Sequence, residues 1–162
     1  MIVALLALYL ARPPALVGLV FEAGGVDDVA TVQAESHFNA QAFRYERDRR
    51  GKIIGTSYGL QQLFDRYHPQ WRYDLGKHIA VGAAFLAKCK RDEAFYEAHY
   101  VAGYGAWSMW SEAGLAQMMR EADFASVVSR YNSGTPFGAW AWGKRVQALR
   151  DDMAKYLWRA LR

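Results

Sequence analysis

The sequence predicts a mainly α-helical fold with one small loop or β-hairpin between two of its helices. Apolar residues recur with helical spacing along much of the chain, and this spacing fails between Arg44 and Ser57. The chain has 162 residues, and 52% of them are apolar, which is enough to bury a substantial core. We therefore expect a single domain over residues 1–162.

The N-terminal stretch predicts a buried helix. Ile2 to Ala11 is an unbroken apolar run that is too short to cross a bilayer core of about 30 Å. Arg12, Pro13 and Pro14 then interrupt it. Because the run lacks the basic residues and the small-residue cleavage site of a signal peptide, we expect a structural helix and no stable transmembrane segment, with a signal or anchor segment as the alternative.

The stretch Val26 to Phe38 predicts a second helix that carries acidic residues at both ends. Asp27 and Asp28 fall in its first turn, where the helix dipole favours a carboxylate. Glu35 falls near the opposite end among apolar neighbours. Since both this position and partial burial raise the pKa of a carboxyl group, the pattern is typical of a general acid. Most helical glutamates are solvated, which is the alternative for Glu35.

A loop or small hairpin is predicted next, followed by further helices. A charged turn with Gly51 precedes the β-branched pair Ile53 and Ile54, and loops of this kind often carry functional sites. Helical spacing returns from His78 to Leu86 and again from Val146 to Leu157. The second of these stretches has a basic opposite face, which is expected to be solvated.

Composition excludes several classes of protein. The single Cys89 excludes disulfide-stapled and zinc-ribbon folds, and the four histidines show no metal-ligand spacing with one another. No phosphate-binding loop, dinucleotide fingerprint or Gly-x-Ser-x-Gly motif is present. The net charge of +4 favours an anionic partner, and the 15% aromatic content suits either a groove for sugar rings or an aromatic core.

Four ordered segments carry a family pattern over roughly residues 28 to 134. They are Glu35-Ser36-His37-Phe38-Asn39, Ser57-Tyr58-Gly59-Leu60-Gln61-Gln62, His78-Ile79-Ala80-Val81-Gly82 with Phe85-Leu86, and Tyr131-Asn132-Ser133-Gly134. This ordered set resembles the soluble lytic transglycosylases, which share a fold with goose-type lysozymes. The resemblance implies a lysozyme-like helical domain, with the loop or hairpin between the catalytic helix and the next helix.

The resemblance also implies a role for five residues. Glu35 matches the single catalytic acid and base. Ser57 and Gln62 match polar groups that contact sugar substituents, Tyr131 matches a tyrosine close to the catalytic carboxyl, and Asn132 matches the same wall of the groove. From the residues alone, Ser57 is equally a turn residue or N-cap, Gln62 a solvated helix residue and Tyr131 a core aromatic.

The implied reaction is cleavage of the β-1,4 bond between N-acetylmuramic acid and N-acetylglucosamine, with formation of a 1,6-anhydro ring. The expected partner is therefore the glycan strands of peptidoglycan, with no cofactor, no metal and no requirement for nucleic acid. The implied setting is the bacterial periplasm or cell wall. The enzyme would be phage-encoded, for lysis or as part of a virion, or associated with an export system, and a larger virion or secretion assembly stays open.

The sequence departs from the family pattern in three places. Arg44 to Gly55 is longer and more charged than usual, Gln61 replaces an apolar residue, and Gly103 to Met119 matches no known segment. One alternative is a goose-type muramidase that uses Glu46 or Asp48 to position water, although salt bridges to neighbouring basic residues explain both acids equally well. A non-catalytic module that binds cell wall or nucleic acid is a further alternative.

Overall fold

The computed structural model describes residues 1–66, 74–99, 123–133 and 139–162. Within these ranges the chain is mostly helical with one small antiparallel sheet, which confirms the mainly α prediction. The elements are α1 (Ile2–Leu10), α2 (Pro14–Ser36), β1 (Phe43–Arg47), β2 (Ile53–Tyr58), β3 (Leu63–Phe64), α3 (Leu75–His99), α4 (Asp123–Ser133) and α5 (Trp140–Ala160). The unmatched segment Gly103 to Met119 lies outside the described residues.

The contacts divide the chain into two compact units. The first unit comprises Met1–Ala84 and Arg150–Arg162, and the second comprises Phe85–Leu149. Each unit has buried apolar residues of its own. The single-domain expectation stays a prediction.

The predicted N-terminal helix is present as α1, which packs against α2 in the first unit. It buries Leu6 and Leu10, whereas Leu8 is 73% exposed, so only one side of the helix is covered. The helix ends at Ala11 in a left-handed conformation, and Pro14 opens α2 at a position where its missing N–H is not needed. Among the described residues no single helix is long and apolar enough to cross a membrane. Taken together, α1 and α2 have the length and composition of a span, but they are bent by 119° at the break between them.

The predicted helix from Val26 to Phe38 corresponds to the second half of α2. Gly25 breaks the helix with φ 72° and ψ −157°, a conformation that glycine adopts without strain. The predicted end is two residues too late, because His37 and Phe38 both have left-handed φ values. Phe38 is buried, so this reversal turns its side chain into the core instead of continuing the helix.

The predicted loop or hairpin is a hairpin, and it belongs to a three-stranded sheet of order β1-β2-β3. β1 and β2 are antiparallel, with a β-bulge where Arg47 pairs with Ile53. Asp48 holds the turn, since one of its carboxylate oxygens accepts the backbone N–H groups of Arg50 and Lys52 at 2.8 and 2.9 Å. Gly51 supplies the left-handed residue that this turn needs.

In the second unit α4 packs closely against the first half of α5. A Cβ atom at Gly143 would overlap the carbonyl oxygen of Ala125, so only glycine permits this approach. The side chain of Gln147 accepts the backbone N–H of Ala125 at 3.1 Å, and Ser129 accepts that of Ala139 at 3.0 Å. These contacts fix α4, which carries the predicted residues Tyr131 and Asn132.

Candidate active site

Glu35 lies half-buried in the last turn of α2. The next residue, Ser36, is buried and donates its hydroxyl to the Val32 carbonyl at 3.2 Å, which satisfies the hydroxyl within the helix. His37 then ends the helix, with its N–H bonded to the Gln33 carbonyl at 3.2 Å. The predicted acid therefore has a well-defined backbone position directly ahead of the sheet.

Ser57 is a strand residue and not the turn residue or N-cap that the sequence allowed. It is 3% exposed and lies opposite Arg44 in the β1–β2 register. Its hydroxyl donates to Oε1 of Glu46 at 2.6 Å, and Arg44 donates to the same oxygen at 2.8 Å. The predicted salt bridge at Glu46 is therefore present, to Arg44, and the same carboxylate accepts a hydrogen bond from Ser57, a predicted substrate-binding residue.

Gln62 lies in the turn before β3 and not in a solvated helix. Its φ of 49° places a non-glycine residue in the left-handed region, which is uncommon. Its side-chain Nε2 donates to the carbonyl oxygens of Ala42 and Gly59, at 3.2 and 3.0 Å. The first bond ties the turn to Ala42, the residue before β1, and the second closes the turn on itself.

A buried polar cluster, formed by Asp28, Gln61 and His78, lies in the same unit. These side chains are 3%, 1% and 3% exposed. Nε2 of Gln61 donates to Oδ1 of Asp28 at 3.3 Å, and the backbone N–H of Gln61 donates to Nε2 of His78 at 3.2 Å. The cluster therefore joins α2, the β2–β3 turn and the first turn of α3.

A glycine lies in close contact with each member of this cluster. A Cβ atom at Gly24 would overlap the Asp28 carboxylate, one at Gly82 would overlap the Gln61 amide, and one at Gly59 would meet the His78 ring at 2.5 Å. Gly59 also has a φ of 74°, so a side chain there would be strained as well as crowded. The three close approaches fix where the polar groups lie.

Asp27, the neighbour of the buried Asp28, pairs with the C-terminal helix. Nε of Arg150 lies 3.0 Å from Oδ1 of Asp27, and Nη1 lies 3.1 Å from Oδ1 of Asp151. Burial alone would lower the pKa of Arg150, but the charge of Asp27 and the hydrogen bonds to both carboxylates raise it. Arg150 therefore links α5 to α2, although the sequence predicted that the basic face of α5 is solvated.

Tyr131 and Asn132 lie on α4 in the second unit. Tyr131 is buried, and its ring centroid lies 5.0 Å from that of Phe85 on α3, so it packs as an aromatic residue of that unit. Asn132 is exposed. The contact that the family resemblance implies between the Tyr131 hydroxyl and Glu35 stays a prediction.

Glu35, Ser57 and Gln62 thus belong to the first unit, and the other two predicted site residues belong to the second unit. Within the described ranges no group of three or more His, Cys, Asp or Glu residues could hold a metal ion. A cavity of about 380 Å³ lies between α1 and α5, lined by Tyr9, Asp152, Lys155, Tyr156 and Arg159. None of the predicted site residues lines this cavity.

The buried polar cluster was not predicted from the sequence. Asp28 was assigned to the helix dipole, Gln61 was a departure from the family pattern, and His78 showed no metal-ligand spacing with the other histidines. The sequence did contain one signal of the cluster. Gln61 occupies a position that is apolar in the family pattern, and a polar side chain that is buried there needs a hydrogen-bond partner. Gly24, Gly59 and Gly82 are the corresponding signal for close packing.

Comparison with protein-family models, with curated proteins and with solved structures found no match for this chain.

Proposed function

We propose that this protein is a peptidoglycan lytic transglycosylase, a lyase that cleaves the bond between N-acetylmuramic acid and N-acetylglucosamine. One observation carries the proposal: Glu35 lies half-buried in the last turn of α2, and the sheet that holds Ser57 follows directly along the chain. A partly buried carboxyl group at the end of a helix suits proton transfer near neutral pH. The ordered family motifs supply the substrate class.

In the proposed reaction Glu35 acts twice. As a carboxylic acid it donates its proton to the leaving glycosidic oxygen, while the acetamido carbonyl of the substrate assists at the anomeric carbon. As a carboxylate it then accepts the proton of the sugar's 6-hydroxyl, whose oxygen bonds to the anomeric carbon and closes the anhydro ring. Because one residue is both acid and base, no second carboxylate is required.

Glu46 and Asp48, the two acids that the sequence offers for positioning water, are engaged in local bonds, which supports this single-acid reaction. Asp48 accepts two backbone N–H groups of its own turn. Glu46 accepts both Arg44 and Ser57 on one oxygen. A base that positions water must give up such bonds or share them with the water.

The test is Glu35→Gln assayed on purified peptidoglycan, with mass spectrometry of the products. The amide keeps the shape of the side chain but cannot transfer the proton, so we expect a loss of about 10²–10⁴-fold in wall cleavage. The matched control is Glu46→Gln, which should leave the anhydro products in place. A folded Glu35→Gln variant with parental activity would contradict the assignment.

A goose-type muramidase is the second candidate. The observation that favours it is that Arg44 and Ser57 both bond Oε1 of Glu46, so Oε2 of the same carboxylate is the atom that would orient water beside a predicted sugar-binding residue. Reducing-end products in the wild type, together with a large loss in Glu46→Gln, would assign this reaction. If the wild type binds peptidoglycan but yields neither anhydro nor reducing-end products, the protein would be the non-catalytic module.

We propose a cell-wall or periplasmic setting on the same grounds, in a phage lysis or virion protein or in an export system. Peptidoglycan is found there, and the net charge of +4 suits an acidic wall polymer. Wall fractions sedimented with the protein at increasing salt would measure the electrostatic part of this attachment.

A further inference from the structure

The β1–β2 hairpin exposes a group of large apolar side chains. Phe43 is 65% exposed, Tyr45 55%, Ile53 46% and Ile54 43%. We call these four residues the exposed hairpin face. Single exposed apolar residues are common on proteins, whereas a contiguous set marks a contact surface.

The strand register places all four residues on one side of the hairpin. Phe43 and Tyr45 share a face, because they are two residues apart on β1. Ile53 pairs with Arg47, which continues that face, and Ile54 is the extra residue of the bulge. Thr56 pairs with Tyr45, so alternation along β2 assigns Ile54 to this side as well.

The opposite side of the hairpin is polar and occupied. It carries Arg44, Glu46 and Ser57, which are joined by the hydrogen bonds described above. Gly55 on that side lies against the ring of Phe64 and the Asp65 carboxylate. The hairpin therefore separates the exposed hairpin face from the face that carries Ser57.

The hairpin turn is strongly basic. Residues 43–54 contain five Arg or Lys side chains and two acidic ones. Arg44 pairs with Glu46, and the Asp48 carboxylate is bonded to backbone N–H groups. Across the described ranges, no acidic side chain forms a salt bridge with Arg49, Arg50 or Lys52.

We propose that this hairpin binds the surface of a membrane that contains anionic phospholipid. The exposed hairpin face would enter the region between head groups and acyl chains, and the cations at the turn would contact lipid phosphates. This pairing of apolar and basic side chains is the chemistry of interfacial membrane binding. The inference is independent of whether Glu35 cleaves peptidoglycan.

A lipid surface fits the observations better than a nucleic acid or another polyanion in solution. A polyanion would use the cations but would leave two isoleucines in water. The two aromatic rings lie edge to face on each other, with centroids 5.7 Å apart and planes at 72°, so they do not form a stacking platform for bases. Only a partner with its own apolar layer covers all four side chains.

The experiment measures binding of the full-length protein to sedimented vesicles of phosphatidylcholine, with and without phosphatidylglycerol. We expect binding only when phosphatidylglycerol is present. The variant Arg49→Gln/Arg50→Gln/Lys52→Gln should bind about 100-fold more weakly, since each cation near an anionic surface contributes roughly fivefold. Phe43→Ser, Ile53→Ser and Ile54→Ser should each weaken binding about tenfold, and melting curves check that each variant is folded.

Matched controls lie on α5 and just beyond it. Leu161→Ser removes an apolar side chain that is 43% exposed, and Arg145→Gln/Arg159→Gln/Arg162→Gln removes three cations. Both should bind as the wild type does. Equal loss in these controls would overturn the proposal, because the basic C-terminal helix would then be the contact.

Three further results would also overturn it. One is a wild type that binds neither kind of vesicle. A second is that the serine variants bind like the wild type while soluble polyphosphate or DNA competes fully, which would assign a polyanion site. The third is a wild-type dimer in analytical ultracentrifugation that the serine variants dissociate, which would assign the exposed hairpin face to a second copy of the chain.

Discussion

The buried polar cluster and the hairpin turn both use hydrogen bonds to join segments, but they do so under opposite conditions. In the cluster, Gln61 bonds Asp28 and His78 across 33 and 17 positions of the sequence, without access to water. In the turn, Asp48 bonds residues two and four positions away on an exposed loop. A buried polar group that loses its partner is left unsatisfied, whereas an exposed one bonds water.

The buried polar cluster, and not the hairpin turn, connects the elements that carry Glu35 and Gln62. The cluster connects α2, whose last turn carries Glu35, to the turn that carries Gln62 and to α3. The hairpin turn lies at the far end of β1 and β2 and connects only those strands. Changes in the cluster should therefore affect both stability and site geometry, and changes in the turn should remain local.

The largest expected effect is that of Gly82→Ala. The new methyl group overlaps the Gln61 amide, which must move and weaken its bond to Asp28. Overpacking and the lost bond together should lower the free energy of unfolding by about 2–4 kcal/mol. Urea denaturation followed by circular dichroism measures this loss.

The matched control is Gly18→Ala, also in a helix. Its Cβ meets only the Val3 side chain at 3.5 Å, which is ordinary contact. Removing a glycine from a helix then stabilises the fold, by roughly 0.5–1 kcal/mol. If the two alanine variants shift stability equally, the cluster is not tightly packed and the comparison fails.

Asp28→Ala should have the next largest effect. It removes the acceptor of Gln61 Nε2 inside the core, and an unsatisfied buried donor costs about 1–3 kcal/mol. Asp28→Asn is the control, because its oxygen can still accept that bond. Thermal unfolding of the two variants at one pH separates the hydrogen bond from the charge, and an alanine variant as stable as the asparagine variant would contradict this role.

Asp48→Ala should have a smaller effect, at most about 1 kcal/mol, because water replaces the carboxylate at the two backbone N–H groups. Asp48→Asn should be close to neutral, since asparagine forms the same turn. Chemical denaturation of both variants beside Asp28→Ala gives the comparison directly. A loss at Asp48 as large as that at Asp28 would mean that the turn is as important to the fold as the cluster.

Local patterns in the sequence predicted the fold class, because they depend on neighbouring residues. Helical spacing located the second half of α2, α3 and α5, an apolar run located α1, and the run of charges with Gly51 located the hairpin. These patterns did not locate α4. The end of α2 was predicted two residues late, since the reversal at His37 and Phe38 follows from burial of the Phe38 side chain and not from local preference. The break at Gly25 coincides with the predicted helix start, because glycine marks such a conformation in the sequence.

Contacts between distant residues were not predicted. Nothing near Asp28 in the sequence points to Gln61, and nothing near Arg150 points to Asp27. For the candidate site, motif order suggested Glu35, Ser57 and Gln62, and these belong to one unit. The bonds that Ser57 and Gln62 make depend on strand register and on a left-handed turn, which the motif does not specify.

The smallest expected effect is the pH dependence of stability that Asp74 contributes. Asp74 is exposed and, like Asp48 in the hairpin turn, bonds a residue that is close in the sequence. Asp74 caps α3, the helix that carries His78, and its Oδ1 accepts the Lys77 backbone N–H at 2.9 Å. This bond, opposed by desolvation and aided by the charge of Lys77, holds the pKa of Asp74 below its usual 3.8. Because the folded state has the lower pKa, the carboxylate stabilises the fold at pH values above the usual pKa, and this contribution is lost as the pH falls through the folded pKa.

Asp74→Asn also caps a helix but does not titrate. The melting temperature of the wild type, relative to that of Asp74→Asn, should therefore fall as the pH is lowered from about 6 to about 2. A difference that stays constant over this range would show that Lys77 does not bond the charged carboxylate in solution. A shift as large as the loss in Asp28→Ala would instead break the distinction between exposed and buried polar contacts.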